Sequence, residues 1–182
     1  MSIKKKVKLG IFDIDGTVFR SSLLIELVSE LVAMGIFPEE AKSEMEEDYL
    51  HWLDRKGHYD NYIMKVVGIH EKYVAGCLKR DVDRAVKSVV TRHKDRVYRF
   101  TRDLIKDLKA KNFYLIAISG SPEYIVSRFA KYFGFNHSFG KVLEIKKGVF
   151  TGKVLDDLSI RNKDQVLLKF LKESKINVDL KN

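Results

Sequence analysis

The hydrophobic period of the chain changes several times. Residues 7–12, VKLGIF, are a short apolar run cut off by Asp13 and Asp15, the pattern of a buried strand that ends in a turn. After Thr17 the period lengthens. Leu23, Leu24, Leu27, Val28, Leu31 and Val32 fall on one helical face, with Ser21 or Ser22 placed to cap its start and Gly35 its end. Pro38 opens an acidic stretch, PEEAKSEMEED, suited to a helix N-terminus, where carboxylates are favoured. From there to about residue 110 the pattern stays helical, with breaks expected at Gly57, Gly68 and Gly76 and no strand. Trp52, Tyr59, Tyr62 and Tyr73 lie in this stretch. Packing between helices is their expected role, with one or two left to line a pocket.

A second apolar run, FYLIAISGSP at 113–122, also ends in small polar residues, and a helix is predicted after it from Glu123 to Phe133. Residues 141–154 alternate around Lys146-Lys147-Gly148, the pattern of a hairpin. Asn162 then caps an amphipathic helix whose apolar face is Val166, Leu167, Phe170 and Leu171, and KINVDLKN approaches a further strand. Two strands separated by helical material predict an α/β core with a helical insertion. In open α/β sheets the site lies outside the carboxyl ends of the strands. Asp13 and Asp15 from the first strand should therefore meet Ser119, Gly120 and Ser121 from the second.

Composition narrows this picture. A chain of 182 residues holds one domain with a modest insertion. Its single cysteine, Cys77, excludes a disulfide framework and fits a reducing compartment. The N-terminus is basic and then apolar, but Asp13 and Asp15 interrupt it too soon for a signal peptide or a membrane span, so a cytoplasmic protein is expected. The net charge of +9 raises the question of nucleic acid. The densest basic stretch, 79–99, sets Lys79, Arg80, Arg84, Lys87, Arg92, Lys94, Arg96 and Arg99 against Val82, Val86, Val89, Val90 and Val97 at helical spacing. That is the solvated face of an amphipathic helix. With no zinc-ligand spacing and no helix-turn-helix or aromatic RNA-binding pattern, neither nucleic acid nor membrane is the expected partner. The five histidines are scattered and form no metal-ligand pair.

Two carboxylates two residues apart on an extended segment point the same way and repel each other. Beside a divalent cation, which offsets the repulsion, one can attack phosphorus. The other can protonate the leaving oxygen and later activate water. Gly16 permits a sharp turn, amides and hydroxyls at both turns can hold phosphate oxygens, and a lysine is needed to neutralise the remaining charge.

These residues carry a resemblance. FDIDGTVF resembles motif one of the haloacid dehalogenase-like (HAD) hydrolases, and LIAISGSP resembles motif two. GVFTGKV followed by NKDQVLLKFL is similar to the stretch leading into motif three in the phosphoserine-phosphatase-like branch, subfamily IB. The three occur in the right order and span nearly the whole chain. The resemblance implies a Rossmann-like α/β core with a parallel sheet, built from residues 1–19 and 96–182, and a helical cap, 20–95, inserted after the first strand. It implies Asp13 as nucleophile and metal ligand, and Asp15 as general acid/base whose main-chain carbonyl also binds magnesium. Thr17 would support the loop of the two aspartates on the substrate side, Ser119 and Gly120 would form the phosphate-binding turn, and Lys163 would hold nucleophile and phosphate, with Lys153 as a competing candidate. Asp15 sets the chain apart from the dehalogenases, which lack that acid, and from ion-pumping ATPases, which carry threonine there. The implied activity is magnesium-dependent hydrolysis of a small phosphorylated metabolite through an aspartyl phosphate. A phosphotransferase and a non-catalytic module of the same fold are the alternatives.

Two departures from the family bear on substrate and metal. Ser22 stands where phosphoserine phosphatases carry a glutamate that grips the substrate ammonium, which argues against phosphoserine. No G-D-x-x-x-D fourth motif follows Lys163. The chain is therefore expected to be truncated, with the strand bearing Asp13 left as a sheet edge. Magnesium would then be held weakly by Asp13, the Asp15 carbonyl, phosphate and water.

Overall fold

The computed structural model describes residues 6–156, 163–174 and 176–178. β1 (Leu9–Asp13) is followed by α1 (Leu23–Ala33), α2 (Glu40–Leu53), α3 (Tyr59–Val74), α4 (Lys79–His93) and α5 (Arg99–Ala110). Then come β2 (Tyr114–Pro122), α6 (Glu123–Phe133), β3 (His137–Lys146), β4 (Val149–Asp156) and α7 (Lys163–Glu173). The fold is α/β, as the sequence predicts. The sheet order is β1-β2-β3-β4, with β1 and β3 parallel to β2, and β4 antiparallel to β3. The predicted hairpin is therefore β3 and β4, and its first strand joins the main sheet: Ala117 pairs with Ser138 and Ile118 with Phe139. The ladder then shifts register before Pro122 meets Lys141. That irregularity falls on Ser119–Ser121, where β2 delivers its polar turn.

The helical stretch enters and leaves through two adjacent antiparallel segments. Phe19 bridges Val97, the Arg20 amide donates to the Arg96 carbonyl at 2.9 Å, and the Tyr98 amide donates to the Val18 carbonyl at 3.1 Å. This crossing corrects the reading of 79–99 as one helix. The helix ends at His93, Val97 is buried in the crossing, and Arg99 opens α5. Gly68 is also not a break. α3 runs through it because buried Tyr62, Val66, Ile69 and His70 anchor the helix on both sides, which outweighs the roughly 1 kcal/mol that glycine costs within a helix.

One continuous core joins sheet and helices. Ile14, Phe19, Leu27, Leu31, Val89, Leu115, Val126 and Phe129 are buried in it, and Phe19 meets Phe129 edge to face at 5.4 Å. The predicted face of α7 is only half-buried, and Phe170 from it stacks on His137 at 4.4 Å. Asn162 lies outside the described residues. The predicted approach to a further strand reaches the residues just before β1: Val178 bridges Val7 in parallel, and the Val7 amide donates to the Asn177 carbonyl at 2.8 Å. Among the described residues no helix is long and apolar enough to cross a membrane.

Candidate active site

β1 ends on Asp13, and the chain then folds tightly on itself. The amides of Thr17, Val18 and Phe19 all donate to the Ile14 carbonyl, and the Gly16 amide donates to the carbonyls of Phe19 and Ser21. None of these amides is spent on the Asp15 carbonyl. Gly16 makes the turn possible with φ +75°, a conformation that other residues adopt only under strain. Ile14, Val18 and Phe19 are fully buried, so the loop is anchored from beneath while Asp13 and Asp15 stay at the sheet end.

The two aspartates have different surroundings. The Asp13 carboxylate is partly exposed. It accepts hydrogen bonds from the Thr17 hydroxyl at 2.9 Å and from Lys163 Nζ, at the first turn of α7, at 2.5 Å. Lys163 crosses 150 positions of sequence to reach it. Lys153, the competing candidate, is exposed on β4. Asp15 turns inward. Its Oδ1 accepts from the Leu23 amide at the start of α1 at 2.5 Å, and its Oδ2 accepts from the hydroxyls of Ser119 and Ser121, the latter at 2.8 Å. Burial raises the Asp15 pKa above the ordinary carboxylate value. The Ser119 hydroxyl, the Leu23 amide and the Ser121 hydroxyl oppose that rise, and the Asp13 charge adds to it.

Both sheet-end turns therefore meet, as the topology rule predicts. Ser119 is fully buried, its hydroxyl engaged by Asp15 and by the Ser121 amide at 2.9 Å. Gly120 is the more exposed residue of that turn. Ser121 binds Asp15 as directly as Ser119 does, and it was legible only as a third polar residue at the strand end. Ser22 caps α1 through the Leu24 amide at 3.3 Å and is buried, so its hydroxyl serves the helix.

A cleft of about 660 Å³ opens beside Asp15 and Gly16 and runs between the β1 loop and helices α1, α2 and α3. Arg20, Glu26, Lys42 and Arg96 line it together with Tyr49, Trp52, Tyr59 and Tyr62. Glu26 is held by Arg96 at 3.0 Å and by His93 at 3.5 Å. Of the aromatics singled out in the sequence, Tyr73 packs against Phe37 and donates to Glu44, away from this cleft, while Tyr49 was missed. The signal was available: Tyr49 and Trp52, then Tyr59 and Tyr62, are two pairs at i, i+3 spacing on either side of the turn at Gly57.

A family model for haloacid dehalogenase-like hydrolases matches residues 11–182. The chain belongs to that family. It is 24% identical over 178 residues to the phosphoserine phosphatase of Methanocaldococcus jannaschii, covering 97% of this chain and 76% of that protein. A solved phospho-aspartyl intermediate analogue of a phosphoserine phosphatase superposes with a TM-score of 0.56 at 24% identity, over 95% of this chain and 75% of that one. A Bordetella pertussis Tohama I protein of unknown function superposes with a TM-score of 0.71 at 14% identity, over 97% and 78% of the two chains. The fold is thus shared beyond the reach of sequence similarity.

The donors at the sheet end are hard oxygens. The Asp13 carboxylate is open on one side, and the Asp15 carbonyl receives none of the loop amides. Both are of the kind magnesium takes. No cluster of three His, Cys, Asp or Glu groups occurs among the described residues. Phosphate and water would complete the shell.

Proposed function

We propose that this chain hydrolyses a small phosphomonoester in the cytoplasm through covalent attack by Asp13, with magnesium at the sheet end. The observation that carries the reading is the contact of Lys163 with Asp13: a cation recruited from a distant helix faces an accessible carboxylate at the carboxyl end of a parallel strand. Family membership and the phosphoserine phosphatase relative support it.

In this reading Lys163 draws the phosphate dianion against Asp13 and offsets its charge. A carboxylate oxygen of Asp13 forms a bond to phosphorus while the bond to the leaving oxygen breaks. Asp15, its pKa raised by burial, carries the proton that the leaving oxygen takes. It then receives a proton from the water that attacks phosphorus, the Asp13–phosphorus bond breaks, and phosphate is released. Asp13 and the Asp15 carbonyl would hold magnesium, which when bound offsets negative charge and orients the phosphate oxygens. Thr17 fixes the Asp13 rotamer, Ser119 and Ser121 fix that of Asp15, and the amides of the Gly120 turn donate to phosphate oxygens. The helical segment, roughly 20–95, acts as the cap that selects the leaving group. Lys163 is the lysine of the site, and Lys153 has no part in it.

The test is hydrolysis of p-nitrophenyl phosphate with and without magnesium. Asp13→Asn should reduce turnover by at least about a thousandfold, because the nucleophile is gone. Its melting temperature should stay near that of the parent. A folded Asp13→Asn protein with parental turnover would sink the mechanism.

A further inference from the structure

We infer that the leaving group of this enzyme carries a flat aromatic ring, which stacks on the aromatic wall formed by Tyr49, Trp52, Tyr59 and Tyr62. The inference rests on the phosphomonoester hydrolase reading and names the substrate class for the same site.

The wall is built in two levels. Tyr62 is buried beneath, and the Trp52 ring lies nearly parallel to it, at 10° and 5.9 Å between centroids. Tyr49 meets Tyr62 at 5.4 Å, and Tyr59 meets Trp52 at 5.5 Å, both at steep angles. The three upper rings keep large exposed surfaces, 39% for Tyr49, 38% for Trp52 and 40% for Tyr59. Here a buried ring backs three exposed ones, and all four line the cleft that begins at Asp15. The side chains of the four make no hydrogen bond to another described residue, so the phenol hydroxyls and the indole N–H remain available to a ligand. Burial, with the Asp15 and Asp60 charges adding to it, raises the Tyr59 phenol.

The volume and charge of the cleft agree. A cleft of about 660 Å³ lies within the 300–1,000 Å³ typical of sites for drug-sized ligands. A short aliphatic amino-acid phosphate would leave much of it to water. Glu26, the acid one turn into α1 from Ser22, is tied up by Arg96 and His93, so it is not free to grip an ammonium. Arg20 and Lys42 line the same cleft and form no ion pair with a described residue, which suits an anionic ester.

The decisive comparison is 2-phenylethyl phosphate against 2-cyclohexylethyl phosphate. Both are esters of primary alcohols of similar size and leaving-group basicity. The saturated ring is the more hydrophobic, so a merely greasy slot favours it, whereas a stacking wall favours the flat ring. We expect kcat/KM roughly three- to tenfold higher for the phenyl ester, the ratio that ring–ring stacking supplies beyond area burial. Trp52→Leu should bring the ratio to about one. Trp52 is the only tryptophan, so its fluorescence reports ring binding without turnover: 2-phenylethylphosphonate should change it saturably. Equal turnover of the two esters, or preference for the cyclohexyl one, overturns the inference and leaves the hydrolase reading standing. If neither these esters nor p-nitrophenyl phosphate turn over with magnesium, saturable fluorescence upholds the ring site and sinks the hydrolase reading, whereas no fluorescence change overturns the ring site.

Discussion

The sheet end and the helical cleft face each other across Asp15 and are built differently. At the sheet end every functional side chain is held: Asp13 by Thr17 and Lys163, Asp15 by one amide and two hydroxyls. Along the cleft the aromatic groups are packed from behind and left unengaged in front. Charge must be placed to within a fraction of an ångström for phosphoryl chemistry, so the sheet end needs many short polar contacts. Selection of a leaving group works through shape and apolar area, so the cleft needs surfaces instead. In the proposed mechanism this difference would separate the residues that set the reaction from those that set the substrate.

Substitutions at the sheet end sharpen this division most. Lys163→Met should cut kcat/KM for any phosphomonoester about 10²–10³-fold, the loss expected when one preorganised cation or donor is removed. The loss should be equal across substrates, which a substrate panel checks. An uneven loss would move Lys163 to the selecting half of the molecule.

Gly140 on β3 guards the geometry of the second turn. A Cβ there would lie 2.6 Å from Glu123 Cα, 2.7 Å from the Glu123 amide nitrogen and 2.7 Å from the Ser121 carbonyl oxygen. All are backbone atoms that cannot rotate away. Gly140→Ala should cost about 1–3 kcal/mol of stability, read by chemical denaturation. It should also slow turnover at temperatures where the protein stays folded, because the Ser119–Ser121 turn is displaced.

A smaller effect concerns His70, buried between α3 and α6 and sharing a 2.6 Å hydrogen bond with the Tyr124 hydroxyl. Burial, with the Lys141 charge adding to it, pushes the His70 pKa down from 6.5 to about 3. The unfolded chain therefore binds a proton there that the native state refuses. The stability from neutral His70 is fully present above about pH 6.5 and is lost as pH falls from there toward 3. Unfolding free energy measured at pH 7 and pH 5 should fall more in the parent than in the doubly substituted His70→Leu, Tyr124→Phe protein. Equal falls would remove His70 as the cause.

The smallest expected effect is a displaced pH profile. The Ser121 hydroxyl lowers the Asp15 pKa, so Ser121→Ala should raise it further and move the Asp15-dependent limb of kcat/KM to higher pH. The ratio between two substrates of different leaving group should not change with that shift. A change in the ratio would mean that the acid and the cleft are not separable.

Much of the sheet end was legible in the sequence. An apolar run stopped by Asp13 and Asp15, and a second stopped by Ser119-Gly120-Ser121, fix two strand ends, and parallel pairing brings them together. The period of the apolar positions located α1, α6 and α7 because each buries or half-buries one stripe. The failures have one cause. Gly68 looks like a break locally, and 79–99 looks like one helix locally, but distant partners decide otherwise: the core beneath α3 in the first case, and the pairing of Val97 with Phe19 in the second. The Ser119 hydroxyl read as a phosphate ligand on local grounds. In the structure that hydroxyl is held by Asp15, 104 positions away, at the meeting of strand ends that the sequence predicts, but as a partner of the acid.

The sequence by itself determined which chemistry is possible, because the residue types at two strand ends and at the head of one helix follow from local patterning. The tertiary structure alone decided which of those residues touch. Lys163 rather than Lys153 faces Asp13, Asp15 turns inward while Asp13 turns out, and two aromatic pairs on separate helices become one wall. Periodicity reports which face of an element is apolar. The position of that face relative to another element depends on packing between segments far apart in the chain, which no local pattern encodes.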